Sequence, residues 1–125
     1  MTEPNPEPRS DASNRRNHYR VEYPVKDRPT LSARQWHGEV MDCSETGVRV
    51  HLPAAMPGEA NLVDGERLTA SIRFAQGDTI EVEGTVVRHA GTTLVLRLDV
   101  AQIPFSRIIH EQRWLRARYP WRDSP

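Results

Sequence analysis

At 125 residues, of which 37% are hydrophobic, the chain is large enough to bury one core and too small for two. Its 17 basic and 17 acidic residues cancel, which excludes a global field able to hold a long polyanion such as duplex DNA, so any anion has to be met locally. A single cysteine, Cys43, excludes an intrachain disulfide and fits a reducing compartment, and no residues have the paired spacing of zinc ligands.

Residues Met1 to Asn14 carry four charged side chains and three prolines. Such a stretch buries too little apolar surface to offset the entropy of ordering, so a disordered tail is expected over 1–14. It lacks the apolar centre of a signal peptide, and no run reaches the length of a membrane span, which predicts a soluble, cytoplasmic protein. The folded domain is expected over 15–120, with a barrel at 20–100, a helix at 104–119 and a second tail at 121–125.

In Arg15-Arg16-Asn17-His18-Tyr19-Arg20 the arginines recur at spacings of four and five, on an arm entering the first strand. Val21, Tyr23 and Val25 then alternate with polar residues, the period of a half-buried strand, and Pro24 favours an edge. Lys26 to Arg34 is polar, contains Pro29 and reads as a loop. A second strand is predicted from Trp36 to Met41, and a third over Val48 to Leu52. The polar stretch Asp42 to Gly47 between them reads as a turn, with Gly47 suited to a positive φ.

Pro53 to Glu66 holds two prolines and two glycines and is expected to be an exposed connection. Leu68 to Phe74 and Ile80 to Val86 alternate as the arms of a hairpin around Gln76-Gly77-Asp78, and Gly84 marks a bend or a close approach of backbones. Arg88 to Gly91 reads as another turn, followed by a last strand over Leu94 to Leu98. Six short strands joined mostly by turns indicate an antiparallel barrel or sandwich. From Pro104 to Tyr119 the period changes: Phe105, Ile108, Ile109, Gln112, Leu115 and Tyr119 define one helix face. The other face, with Arg107, Arg113, Arg116, Arg118 and Arg122 against Glu111 and Asp123, is expected to point to solvent or to a protein partner.

Arg16-x-x-x-Arg20 before a first strand, followed some twenty residues later by Asp42-x-Ser44-x-x-Gly47 at a strand junction, resembles the PilZ domain family. The resemblance covers roughly Arg15 to Tyr119. It implies a mainly β protein, a six-stranded antiparallel PilZ-type β-barrel with a C-terminal α-helix. It further implies a receptor for the bacterial second messenger cyclic di-GMP rather than an enzyme, with no cofactor. Motility, surface attachment or biofilm output is the class of process implied, reached through a protein effector that the sequence does not identify.

The chemistry of that ligand suits these residues. Each guanine presents O6 and N7 as paired acceptors, which an arginine fork matches and a lysine does not, and each phosphodiester accepts charge-assisted hydrogen bonds. By resemblance, Arg16 and Arg20 grip guanine edges and phosphate. Asp42 accepts from guanine N1–H and N2–H, Ser44 can serve either sign, and Gly47 lets ligand approach the backbone. Arg15 accompanies, in the family, binding of a stacked, intercalated ligand dimer. Arg49 and Arg88, on or near strands, are either further site residues or ordinary outward barrel residues. Without ligand, Asp42 is free to pair with Arg20.

Three other readings compete. A small barrel binding single-stranded nucleic acid would need stacking aromatics along its strands, whereas Trp114, Tyr119 and Trp121 cluster at the C-terminal end. A ligand-independent protein-interaction domain would not need both motif halves. An enzyme built on Cys43 or the five histidines lacks any recognised ligand or nucleophile spacing.

Overall fold

The computed structural model describes residues 19–53 and 62–120. The elements are β1 (Val21–Glu22), a 3-10 turn (Val25–Asp27), β2 (Thr30–Ala33), β3 (Trp36–Cys43), β4 (Gly47–His51), β5 (Arg67–Arg73), β6 (Thr79–Ala90), β7 (Thr93–Ala101) and one helix, α1 (Phe105–Arg118). Period-2 apolar runs dictate the strands: Leu68, Ala70 and Ile72 in β5, and Leu94, Leu96 and Leu98 in β7, all point into one core. Every pairing is antiparallel. Following the neighbours β3, β2, β5, β6, β7 and β4 leads back to β3, so six strands close into a barrel and leave no open edge among themselves.

β1 is a seventh, two-residue strand outside that ring. It lies along the same edge of β3 as β2, with Val21 opposite Cys43 and Glu22 opposite Asp42, while Thr30 to Ala33 pair with Glu39 to Trp36. Between the two stretches the chain leaves the sheet as the 3-10 turn and returns at Pro29, whose carbonyl accepts from Val40 N–H. The stretch expected to be a loop, Lys26 to Arg34, therefore contributes a full barrel strand. Leu31 and Ala33 are buried and alternate with Thr30 and Ser32, a pattern of four residues too short to stand out beside Pro29. The expected continuation of the first strand through Val25 does not occur: Val25 is 69% exposed.

β6 also runs further than expected, through Arg88 and His89 to Ala90. An extra residue at Val87 shifts the register between Val86 and Arg88, which breaks the alternation that would have revealed the strand. Gly84 sits at another register shift, and a Cβ there would collide with the Arg97 carbonyl oxygen, so only glycine lets β6 and β7 approach this closely. The tails expected at 1–14 and 121–125, and most of the Pro53 to Glu66 connection, lie outside the described residues. Among the described residues no helix is long and apolar enough to cross a membrane.

α1 follows Pro104, whose fixed φ suits the position before a first turn, and presents Ile108, Glu111 and Leu115 inward at helical spacing. Glu111, expected on the outward face, is fully buried: Tyr23 Oη donates to its Oε1 at 2.7 Å and Arg107 Nη1 reaches Oε2 at 3.4 Å. Arg107 in turn stacks over the Phe74 ring and donates to Asp78 at 2.6 Å, tying the start of α1 to the β5–β6 hairpin. The other end is held by buried Asp27 of the 3-10 turn, which accepts from Tyr119 Oη and, at 2.9 Å, from Arg118 Nε.

Burial alone would raise the Asp27 carboxyl, but the hydrogen bonds from Tyr119 and Arg118 outweigh it and hold it below the usual carboxylate range. A depressed folded value means stability that is present above the unfolded value of about 4 and is lost as pH falls through the folded one. Asp27→Asn is accordingly expected to lower the melting temperature at neutral pH by the equivalent of about 1 to 2 kcal/mol. The gap between wild type and variant should close in melts taken below about pH 3.

Candidate ligand-binding site

The two polar motifs meet on the barrel exterior. Arg20, just before β1, directs Nη1 to Asp42 Oδ1 at 2.8 Å, a contact across 22 residues of sequence. The antiparallel pairing of β1 with the end of β3 sets this meeting, because Glu22 lies directly opposite Asp42. Period 2 divides the entry segment by face. Arg20 and Glu22 line the outer cleft, while Val21 and Tyr23 are buried, and Tyr19 packs edge-on against Phe105 with ring centroids 4.9 Å apart. The register shift in β3 between Val40 and Asp42 leaves Asp42 opposite Arg49 of β4, and Arg49 Nε donates to Asp42 Oδ2 at 2.8 Å.

Asp42 is thus one buried carboxylate between two guanidinium groups. Its side chain is 6% exposed, against 44% for Arg20 and 54% for Arg49. Each oxygen is satisfied by a different arginine, so the charge is compensated where it lies, and both cations keep part of their surface toward solvent. The cleft around them has a volume of about 280 Å³ and is lined by Arg20, Glu22, Asp42, Gly47, Val48, Arg49 and Val95.

Of the predicted site residues, Arg20, Asp42, Gly47 and Arg49 come together in this cleft. Arg15 and Arg16 lie outside the described residues. Ser44 is buried beside the cleft rather than lining it, and its backbone N–H donates to the Gly47 carbonyl at 2.8 Å, closing the β3–β4 connection. Gly47 does not adopt the positive φ expected of it, because it already belongs to β4 and pairs with Arg97. A Cβ on Gly47 would meet the Ser44 hydroxyl at an ordinary 3.5 Å, so its smallness keeps the cleft floor open rather than relieving backbone strain. Arg88 faces outward on β6 opposite Val95, one strand beyond the lining. Glu22, Val48 and Val95 were missed as lining residues. The outward phase of Glu22 and Val95 on alternating strands, combined with the pairing partners, could have identified those two, whereas Val48 is a buried strand residue next to Gly47.

Cys43, next to Asp42, points the other way. Burial pushes its thiol up to about 12, which makes it a packing residue rather than a nucleophile. Among the described residues no three His, Cys, Asp or Glu side chains converge as metal ligands would.

The family model for the PilZ domain matches residues 14–111, including both motifs and every cleft residue named above. The chain belongs to the PilZ domain family. A solved structure of the PilZ domain with c-di-GMP of YcgR from Escherichia coli aligns with a TM-score of 0.65 at 15% identity, covering 81% of this chain and 94% of that one. At that identity the likeness is one of fold. No curated protein sequence matches the chain. Within this PilZ domain the Arg20–Asp42 ion pair is a contact between the two stretches singled out in the sequence.

Proposed function

We propose that this PilZ domain is a receptor for cyclic di-GMP, which binds over the cleft between the N-terminal arm and the β3–β4 junction. The observation that carries this reading is the meeting of Arg20 with Asp42 at the cleft, with Gly47 and Arg49 beside them. The charges are those the ligand needs: guanidinium forks for phosphate and for guanine O6 and N7, and a carboxylate acceptor for guanine N1–H and N2–H. Arg16 and Arg15 reach the ligand from the arm, and Arg15 supports a stacked, intercalated ligand dimer. Ser44 supports the Asp42 to Gly47 connection from below. No step of bond chemistry is needed; the domain is a switch.

The arm carries the switching. Ligand bridging Arg16 and Arg20 to the β3–β4 junction folds the arm over the barrel, at an ordering cost subtracted from the affinity. The new surface so formed is read by a protein effector. Calorimetry with cyclic di-GMP tests the receptor reading: saturable binding is expected, and an absence of heat and of any ligand-induced change in melting temperature would end it. Hydrogen exchange tests the switch. Amides around Tyr19 should gain protection on adding cyclic di-GMP, and equal exchange with and without ligand would contradict closure.

A further inference from the structure

Arg49 stands in an arrangement that the motif residues do not explain. Its Nε and Nη2 both lie 2.8 Å from Asp42 Oδ2, so the carboxylate holds the guanidinium along one side. That leaves Nη1 and the second N–H of Nη2, at the end of the fork, without a protein partner among the described residues, on a side chain 54% exposed at the cleft. The plane of the fork is fixed by the carboxylate behind it, and two parallel N–H donors are presented in front. Directly opposite Arg49 in the sheet register is Val95, on the same outer face, an apolar side chain in the lining. A charged fork beside an apolar floor suits a flat ring with two acceptors on one edge better than a solvated phosphate, which would gain nothing from Val95.

We propose that Arg49 is a guanine-reading residue of this cleft, with Asp42 as the group that orients it and Val95 as the surface over which the purine lies. The inference rests on the receptor reading above and adds to it a base-specific contact outside both motifs. Guanine offers O6 and N7 together on its Hoogsteen edge, and adenine offers N7 beside an amino donor, so a fork fixed in this way accepts the first and repels the second.

The test uses the full chain and calorimetry with cyclic di-GMP on wild type, Arg49→Ala and Arg49→Lys, with melts of each protein as a fold control. Arg49→Ala should weaken binding by about tenfold or more. Arg49→Lys should leave it equally weak, because an ammonium keeps the charge and loses the two parallel donors. Affinity within twofold of wild type in Arg49→Ala, or recovery in Arg49→Lys, would overturn the proposal, the second outcome meaning that Arg49 supplies only charge to a phosphate. A wild-type protein that binds no cyclic di-GMP would instead remove the receptor reading, and this inference with it. Arg49→Gln, neutral and similar in length, replaces Arg49→Ala should the alanine variant melt early.

Discussion

Arg20→Ala is expected to weaken cyclic di-GMP binding by tens-fold, on the order of 2 kcal/mol, while leaving the melting temperature nearly unchanged. Micromolar binding amounts to about 8 kcal/mol in total, so the loss of one charge-assisted arginine contact removes a large share of it. Stability is the opposite case. The Arg20 side chain is 44% exposed, and an ion pair with so wet a partner contributes about 1 kcal/mol or less to folding. Asp42 also retains Arg49 on its other oxygen, so its buried carboxylate is not stranded. The separation of the two readouts is therefore the diagnostic. Asp42→Ala should likewise lose binding, because it removes an acceptor and releases both guanidinium groups from their held positions. Unchanged calorimetric affinity in both variants would mean that ligand, if bound at all, binds elsewhere on the barrel.

Part of the cleft lining is legible in the sequence, for a definable reason. Arg20, Asp42 and Gly47 belong to motifs whose spacing in sequence is itself the signal, and the antiparallel pairing of β1 with β3 converts that spacing into contact. The long alternating strands β5 and β7 were equally readable, since period 2 over five or more residues has few other causes. What escaped reading depends on partners distant in sequence. Thr30 to Ala33 form a strand because β3 and β5 flank them, not because four residues declare it. The turn expected at Arg88 is strand because one extra residue at Val87 inverts the pattern without ending the pairing. Charge alone puts Glu111 outward, whereas Tyr23, 88 residues away, together with Arg107 makes its burial tolerable. Local pattern locates faces; it does not locate the single polar group that a distant hydroxyl admits to the core.

That buried carboxylate carries a larger expected stability effect than the Asp27 contacts at the other end of α1. Glu111 is 0% exposed and receives the Tyr23 hydroxyl at 2.7 Å and Arg107 at 3.4 Å. Glu111→Ala removes an acceptor from a phenol buried with it, one whose ionisation is already strongly opposed, first by burial and then by the neighbouring Cys43 and Glu111. It also opens a cavity between α1 and β1. Stranding one member of such a buried contact costs about 3 kcal/mol, the lower end of the range for broken buried pairs, because Arg107 keeps Asp78. For a domain of this size that is a fall in melting temperature of roughly 10 °C or more. Glu111→Gln should cost less than half as much, since the amide carbonyl still accepts from Tyr23 and the volume is unchanged. Equal melting of all three proteins would show that α1 is held by Ile108, Leu115 and the Asp27 contacts alone. With the loss as expected, the buried side of the segment around β1, through Tyr23, is a principal anchor of the helix. The cleft residues Arg20 and Glu22 then alternate with Tyr19 and Tyr23, which hold α1, along one short segment.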